Sequence, residues 1–457
     1  MISHEGFLYR KDKTKLNTIN WRCAKTGCKG RLTTSLQYRE QQQPPVSSGV
    51  HTHPPNPTEV AARRVENSVK TAAVRTRDPP RRIVQDAMTE VNEEVAAGVG
   101  SSTNLRQTIR RKRKATDNNP SAPANVGELF IPDMLRQTTD QRGFLLYDSG
   151  RGDVHRMLIF STNQFLQTLH DSEHWMCDGT FKVSPSLFYQ VYTVHAMIRN
   201  NVLPCIFVLL PNKQQVTYSQ MWTEIKSLKP GLAPRSVQID FELASKAALI
   251  EAFPQTHIYG CYFHLGQSLW RKIQENGLQR LYVQDDNIRM ALKMLLALAF
   301  LPVDEVSDAF DELVADYPAE VMPLVNYFED NYVGRRNRRG DRRQPLFPVH
   351  MWSVKARQDA GLPRTNNQLE SWHNAFQGST ETHHPSIFRF IEALRREEAL
   401  QRANRTQLLQ GRDLTQRMKR YVTMNTRITV VQQNRGQYDS MRQFLRALAH
   451  NLEINVA

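Results

Sequence analysis

The chain has 457 residues, of which 40% are hydrophobic and 23% charged, and this length and composition indicate a globular protein of two or three domains. Its longest apolar run, Met294 to Val303, is too short to span a bilayer, and no signal peptide is expected after Met1. The net charge is +15, and residues 1–125 hold 22 Lys and Arg against 11 Asp and Glu. These features argue against a membrane or secreted protein. They favour an N-terminal part that binds DNA or RNA, with a solvated basic tail as the alternative.

The first 55 residues alternate basic with aromatic or apolar positions, which is typical of short β-strands. Cys23 and Cys28 are separated by four residues, and His51 and His53 follow after a further 22. Two thiolates and two imidazoles suit a closed tetrahedral zinc site, and on a strand both histidine rings would lie on one side. A module this small needs metal to fold, so we expect one structural zinc; chance clustering is the alternative. With five cysteines and one close pair, disulfides are not expected.

Residues 54–125 are polar and rich in Pro, Gly and Ser in places, which is typical of a linker, with or without short helices. This segment contains a dense basic cluster, which would suit either a nuclear-import signal or a helix that contacts phosphates. The candidate DNA-binding residues of the cluster are Arg106, Arg110, Arg111, Lys112, Arg113 and Lys114.

Between about 175 and 263 the apolar pattern predicts the element order β-β-β-α-β-α-β. Residues from 265 to about 332 are expected to be helical, followed by a basic loop at 333–345, a helix from 366 to 376 and a helical C-terminus. We therefore predict an α/β protein with a mixed sheet. Its expected divisions are a zinc module at 1–55, a basic, partly disordered linker at 56–130, an α/β domain at 131–385 with a helical insertion at about 265–345, and a helical region at 386–457.

The N-terminal module resembles a FLYWCH-type zinc finger over most of residues 5 to 53. The resemblance implies a structural Zn²⁺ held by Cys23, Cys28, His51 and His53. It is carried by Phe7-Leu8-Tyr9, Trp21, Cys23, Cys28, Arg31 and His51-x-His53.

The α/β part contains three carboxylates in an informative order: Asp178 and Asp240 each end an apolar strand, and Glu370 lies in a late helix. Carboxylates brought together this way repel one another unless divalent cations neutralise them. Their contexts resemble the catalytic domain of Mutator-like element (MULE) transposases over roughly residues 170 to 380. The segments concerned are Asp178-Gly-Thr-Phe, Ile-Asp240-Phe-Glu, Cys261-Tyr-Phe-His264 and Asn366-Asn367-Gln-Leu-Glu370-Ser-Trp372-His373.

That resemblance implies an RNase H-like mixed sheet with a helical insertion, in which Asp178, Asp240 and Glu370 form the catalytic triad and hold Mg²⁺ or Mn²⁺. Cys261 and His264 match a family motif and would either shape the active site or pack beside it.

Three further residues bear on this site. His373 lies one helical turn after Glu370 and could touch the site. Glu242 is an alternative to Asp240, although the family pattern favours Asp240. Trp372 is more typical of a core residue.

The leading hypothesis is a nuclear transposase that acts as a homo-oligomer on double-stranded DNA, binding the terminal repeats of its element and the target DNA. The alternative is a domesticated descendant that regulates as a zinc-finger DNA-binding protein without catalysis. A zinc-dependent RNA-binding protein is weaker, because the chain lacks an aromatic RNA-recognition motif.

Overall fold

The computed structural model describes residues 1–36, 45–76, 78–116, 123–365, 367–380, 384–414 and 419–454. The chain divides into two compact units, Met1–Pro120 and Ser121–Ala457. Across the described segments, no helix has the length and apolar character needed to span a membrane.

The first unit begins with a five-stranded antiparallel sheet in the order β1-β2-β3-β4-β5. Its core is small, built on Tyr9, Trp21 and Leu32, and the Trp21 indole N–H donates to Thr34 Oγ1 over 3.0 Å. So little buried apolar surface cannot stabilise a sheet alone. The strands are β1 (Ile2–His4), β2 (Phe7–Thr14), β3 (Thr18–Cys23), β4 (Arg31–Ser35) and β5 (Val46–Ser48).

Four helices follow where the sequence indicates a polar linker. Asn56 caps the first of them by accepting a hydrogen bond from the Glu59 amide over 3.0 Å, with Pro57 in the first turn. Their apolar residues are few and widely spaced, yet they meet in a core of Val69, Ala73, Ile83, Val84, Leu105 and Ile109. The described part of 56–130 is therefore largely folded, and the expectation of a linker is corrected. The helices are α1 (Pro57–Arg75), α2 (Pro80–Met88), α3 (Glu93–Gly98) and α4 (Ser102–Thr116).

The second unit is built on a seven-stranded mixed sheet. Three strands, β8, β11 and β12, run parallel, and the other neighbours are antiparallel. Between residues 174 and 260 the element order is the predicted one, whereas the two short strands before it were not predicted. The sheet order is β12-β11-β8-β9-β10-β7-β6, from β6 (Leu145–Asp148), β7 (Leu158–Phe160), β8 (His174–Thr180), β9 (Gln190–Ile198), β10 (Asn201–Leu210), β11 (Ser236–Ile239) and β12 (His257–Gly260).

Helices cover both faces of this sheet. One core cluster joins the sheet to the helices after β10 and to the long helical segment, and a second lies between β7, β10 and two later helices. The helices are α5 (Asn163–His170), α6 (Gln215–Leu228), α7 (Leu243–Ala252), α8 (Tyr262–Glu275), α9 (Gln279–Gln284), α10 (Asp286–Ala297), α11 (Val306–Val314), α12 (Met322–Phe328), α13 (Val349–Trp352), α14 (Val354–Asp359), α15 (Asn367–Thr380), α16 (Ile387–Leu409), α17 (Lys419–Gln433) and α18 (Met441–Ala449).

Short turns of other helix types complete the fold. A π-helical turn spans Glu329–Val333. Short 3-10 helices span Val126–Glu128, Asp133–Leu135, Leu298–Phe300, Ala319–Val321 and Arg435–Gln437.

One boundary matters for the site. Residues 261–263 were expected to continue the last strand, but β12 ends at Gly260 and α8 begins at Tyr262. Cys261 and His264 therefore lie at the start of a helix.

Candidate functional site

The four predicted zinc ligands come together in the first unit. Cys23 Sγ lies 3.2 Å from His53 Nε2, and Cys28 Sγ lies 3.3 Å from His51 Nδ1. One ligand atom from each of the four residues lies within 4.8 Å of all the others. Both histidines lie in the loop after β5 instead of on a strand, so the strand argument for their spacing is wrong while the ligand set stands.

Each histidine ring is held in place by a hydrogen-bond partner of the nitrogen that faces away from the thiols. His51 Nε2 lies 2.9 Å from the Tyr9 hydroxyl, and His53 Nδ1 lies 2.9 Å from the Pro54 carbonyl oxygen. The Pro54 carbonyl can only accept, so Nδ1 of His53 carries the proton and its Nε2 is left as a ligand. The Phe7 ring stacks on His51 at a centroid separation of 3.6 Å. This support from outside the ligand set is typical of a metal site.

The ionisation of the two thiols and the space left by one glycine are also consistent with a bound zinc ion. Burial opposes ionisation of Cys28, but backbone amides at Gly30 and Thr52 outweigh it and lower the pKa of this thiol to about 6. Burial and the neighbouring Cys28 raise the pKa of Cys23, as expected for two thiols that share one site without a cation. A Cβ atom at Gly30 would lie 2.3 Å from the His51 ring, so only glycine fits there.

The second unit brings two of the predicted acids to the same edge of the sheet. Asp178 lies near the end of β8, and Asp240 directly follows β11. These strands are parallel and pair Ser236 with His174, and this register carried forward places Asp240 level with Asp178. The two acids also share a parity along their strands, so their side chains point to the same face.

His264 and α15 complete this acid centre, which we define as Asp178, Asp240, His264, Glu370 and His373. His264 Nδ1 lies 2.6 Å from Asp240 Oδ1, and His264 Nε2 lies 3.8 Å from Glu370 Oε1. His373 Nε2 lies 3.5 Å from Asp178 Oδ2. Glu370 therefore reaches Asp240 with the His264 imidazole between them, an arrangement that the carboxylate pattern alone did not indicate.

The electrostatics of the centre are those of crowded carboxylates. Burial and the Asp240 charge raise the pKa of Asp178 well above its usual range, and burial raises the pKa of Glu370. Burial also lowers the pKa of His373 to about 4, so this ring is neutral at pH 7. His264 behaves in the opposite way, because Asp240 and Cys261 outweigh its burial and raise its pKa to about 11. Its positive charge offsets part of the negative charge of the acids.

The donor set fits a divalent cation. Asp240 Oδ1, His264 Nδ1 and His373 Nε2 are buried, and none has a hydrogen-bond partner within the described residues, because the short contact from His264 to Asp240 lacks hydrogen-bond geometry. Carboxylate oxygens are the ligands that Mg²⁺ and Mn²⁺ prefer, so Asp178, Asp240 and Glu370 are the candidates to hold them. Asp240, Cys261 and His264 also bring one ligand atom each within 4.8 Å of one another.

Other side chains near the centre have structural roles. The Tyr218 hydroxyl donates to Glu242 Oε1 over 3.1 Å. The Trp372 ring stacks on Phe376 with centroids 5.1 Å apart, and its indole N–H donates to Glu397, so it belongs to the core as expected.

The basic cluster on α4 is divided by the fold. Arg110, Arg111 and Lys112 are exposed, and Arg106 is half-buried against its own helix. Arg113 is buried, and its guanidinium donates to the backbone carbonyls of Ala73, Thr76 and Asp78. It joins α4 to the end of α1, so its assignment to DNA binding is corrected. The Lys114 side chain lies outside the described residues.

A surface groove adds to this basic face. Lys70 and Arg75 of α1 line it together with Lys112 of α4. Sequence reasoning missed the two α1 residues because they lie outside the dense run, and the fold of four helices was needed to place them beside it.

Comparison with known proteins identifies two domains. Residues 1–53 match the FLYWCH zinc finger domain, and residues 174–268 match the MULE transposase domain. The second match contains Asp178, Asp240 and His264 and ends before Glu370.

A solved structure from the "Drosophila P element transposase strand transfer complex" is 9% identical, with a TM-score of 0.31, covering 74% of this chain and 92% of that one, a likeness too weak to carry weight. No curated protein matches the chain. The chain thus matches the FLYWCH zinc finger domain at its N-terminus and the MULE transposase domain in its second unit, and these matches support a transposase-related function.

Proposed function

We propose that this protein is a DNA transposase that cuts and joins DNA strands at the ends of its element by metal-dependent phosphoryl transfer. The observation that carries the proposal is the convergence of Asp178, Asp240 and Glu370, through His264, on one edge of the mixed sheet. Two acids at the ends of adjacent strands and a third on a late helix are the arrangement expected of an RNase H-like nuclease, and we assign the second unit to that fold.

Each residue then has a role in the centre. Asp178, Asp240 and Glu370 would hold Mg²⁺ or Mn²⁺, which when bound activates the attacking oxygen and stabilises the leaving oxygen. His373, neutral at pH 7 and 3.5 Å from Asp178, orients that carboxylate. His264 positions Asp240 and Glu370. Cys261 lies directly before α8 and supports the position of His264.

The first unit would supply DNA affinity. Its zinc module and the exposed Arg110, Arg111 and Lys112 form a basic surface suited to the phosphate backbone of double-stranded DNA. Terminal repeats and target DNA are the proposed partners, and the nucleus is the proposed location. Because two element ends must be cut and joined together, we propose that the protein works as a homo-oligomer on DNA.

A domesticated DNA-binding regulator is the second candidate. The observation that favours it is His264, whose positive charge between Asp240 and Glu370 offsets part of the negative charge of the acids. Such a centre could persist as a structural ion-pair network after catalysis was lost.

Strand cleavage by the full chain tests the proposal. With DNA that carries the terminal repeats and Mg²⁺ or Mn²⁺ present, the Asp178→Ala, Asp240→Ala and Glu370→Ala variants should each lose about 10³-fold or more in rate. DNA binding should be retained. Glu242→Ala is the matched control, because it removes a nearby carboxylate that bonds Tyr218, and it should cost much less. Metal-independent cleavage, or equal losses in the triad and control variants, would contradict the assignment. A wild-type chain that binds DNA without cleaving it would favour the regulator.

A further inference from the structure

The basic segment at residues 334–343, here called the arginine loop, forms a tight hairpin-like turn. Arg336 and Arg342 face each other across an antiparallel bridge. At the tip, the Asn337 amide donates to the Asp341 carbonyl over 2.8 Å, and the Gly340 amide donates to the Asn337 carbonyl over 3.0 Å. Gly340 has a φ of +90°, a conformation that glycine adopts without strain. The turn is thus defined by its own backbone.

The base of the arginine loop is fixed to acidic side chains. Arg336 pairs with Asp308 at 3.0 Å and with Asp311 at 2.7 Å. Arg342 pairs with Asp311 and, at 3.0 Å, with Glu329, and its guanidinium lies 5.3 Å from the centre of a phenylalanine ring. The charges of Arg336 and Arg342 are thus paired within the protein, and these ion pairs hold the turn in place.

The tip is different. Arg338 and Arg339 are exposed, and neither guanidinium forms an ion pair or a hydrogen bond with any residue the structure describes. Arg343, on the returning strand, is also exposed without an ion pair among those residues. Because the base is fixed by ion pairs and the tip is not, the loop exposes positive charge on a turn whose position is set by its base.

The segment that follows the arginine loop packs beside the chain that follows Asp240. The Lys246 ammonium donates to the Leu346 carbonyl over 2.8 Å. The Phe347 ring lies 5.1 Å from the ring of Phe241, the residue directly after Asp240. Only three residues separate Arg343 from Phe347, so the loop leads directly into the segment that packs against Phe241.

From this geometry we propose that Arg338 and Arg339 bind the phosphate backbone of the DNA strand held at the acid centre. The proposal rests on the function proposed above. A guanidinium binds phosphate through paired N–H donors, and a turn already fixed by its base loses little entropy on binding. Positive charge on the same unit also offsets the repulsion that the clustered carboxylates exert on incoming phosphates.

The test uses the full chain and double-stranded DNA, with affinity measured over a range of salt concentrations. Arg338→Ala/Arg339→Ala should reduce the slope of log affinity against log salt by about 1.8, because about 0.9 is lost for each phosphate contact. At limiting DNA, cleavage should fall about tenfold, while the rate at saturating DNA stays unchanged.

Two matched variants sharpen the test. Arg271→Ala/Arg280→Ala removes the same charge from exposed arginines of α8 and α9, each of which donates a hydrogen bond to a glutamine four residues away, and it should leave the slope unchanged. Arg338→Lys/Arg339→Lys keeps the charge and should restore most of the slope. An unchanged thermal midpoint for the alanine variant would show that the fold is intact.

An unchanged slope in the loop variant, or an equal change in the α8 and α9 control, would overturn the proposal. Failure of the proposed function has a separate signature, because a wild-type chain that does not cleave DNA in Mg²⁺ or Mn²⁺ contradicts catalysis. The salt slope still decides the DNA contact in that case.

Discussion

The cysteine–histidine cluster and the acid centre are two candidate metal sites that are assembled in different ways. The four ligands of the first lie within 31 positions of sequence, and each histidine is oriented by a partner outside the ligand set. The acids of the second come from two strand ends and a late helix, with His264 between Asp240 and Glu370. The zinc site is complete once its short module folds. The acid centre, in contrast, forms only when the whole sheet is folded, and its carboxylates must be offset by positive charge.

The two sites differ in what a metal would do, since zinc would stabilise the fold of the first and Mg²⁺ or Mn²⁺ would take part in catalysis at the second. Among the described residues of the zinc module, the hydrophobic core consists of Tyr9, Trp21 and Leu32, so the ion must supply folding free energy. The acid centre sits on a large core, and its fold does not need an ion. Removing metal should therefore unfold the first site and leave the second folded.

The largest expected effect is on the zinc module. Cys28→Ala should abolish zinc binding and unfold residues 1–53, because a structural zinc supplies about 10 kcal/mol or more of folding free energy in small modules. Zinc content and hydrogen exchange of the full chain measure this. Cys205→Ala, at a buried thiol of the second unit, is the control and should keep zinc bound. Protection of residues 1–53 that survives chelation would remove the contrast between the two sites.

A second test compares two arginines of α4. Arg113→Ala should destabilise the first unit by about 2–4 kcal/mol, because it leaves buried carbonyls that accept from this guanidinium without a donor. Arg110→Ala, on the exposed face, should change stability by less than about 0.5 kcal/mol but reduce the salt slope of DNA binding by about one. Denaturant unfolding and salt-dependent binding measure the pair. Equal effects of the two variants on stability would contradict the division of the basic cluster.

The smallest expected effect is a pH dependence in the metal-free protein. Because the pKa of Asp178 is raised, the folded chain retains a proton that the unfolded chain releases near pH 4, and folding stability falls as the pH rises through that window. Asp178→Asn should therefore be more stable than wild type at pH 7 in chelator, with the difference vanishing as the pH falls towards 4.

Asp148 is the matched control for that experiment, since its side chain is 11% exposed against 12% for Asp178. Burial opposes its ionisation, but Arg156 and the Gly150 amide outweigh this and lower the pKa of Asp148. Its stabilising contribution is present at pH 7 and is lost as the pH falls through the lowered value, so Asp148→Asn should destabilise the protein. If both asparagine variants changed the folding stability at pH 7 in the same direction, the assignment of a raised pKa to Asp178 in the acid centre would be contradicted.

Much of the fold could be predicted because the strands around the site have strong local signals. β10 is continuously apolar from Leu203 to Leu210, and α6 places its apolar residues on one face of the helix. The helices at 57–116 were taken for a linker because their core uses small, widely spaced apolar residues that only tertiary packing brings together. Strands β6 and β7 were missed because three or four residues give too short a pattern.

The zinc ligands were predicted from residue type and spacing, and the structure brings them together. The position of His264 between Asp240 and Glu370 could not be predicted, because it depends on where β12 ends and α8 begins. The burial of Arg113 could not be predicted from the sequence either, since a run of basic residues does not show which of its side chains faces the core.

The most direct test of the account is Mn²⁺ binding by the full, zinc-loaded chain, measured by titration calorimetry and electron paramagnetic resonance. We expect the wild-type protein to bind Mn²⁺ at the acid centre and the Asp178→Asn/Asp240→Asn variant to lose that binding while keeping its zinc and its fold. Wild-type protein that binds no Mn²⁺ at millimolar concentration, or a variant that binds it as tightly as the wild type, would contradict the assignment of Asp178, Asp240 and Glu370 to a catalytic metal centre.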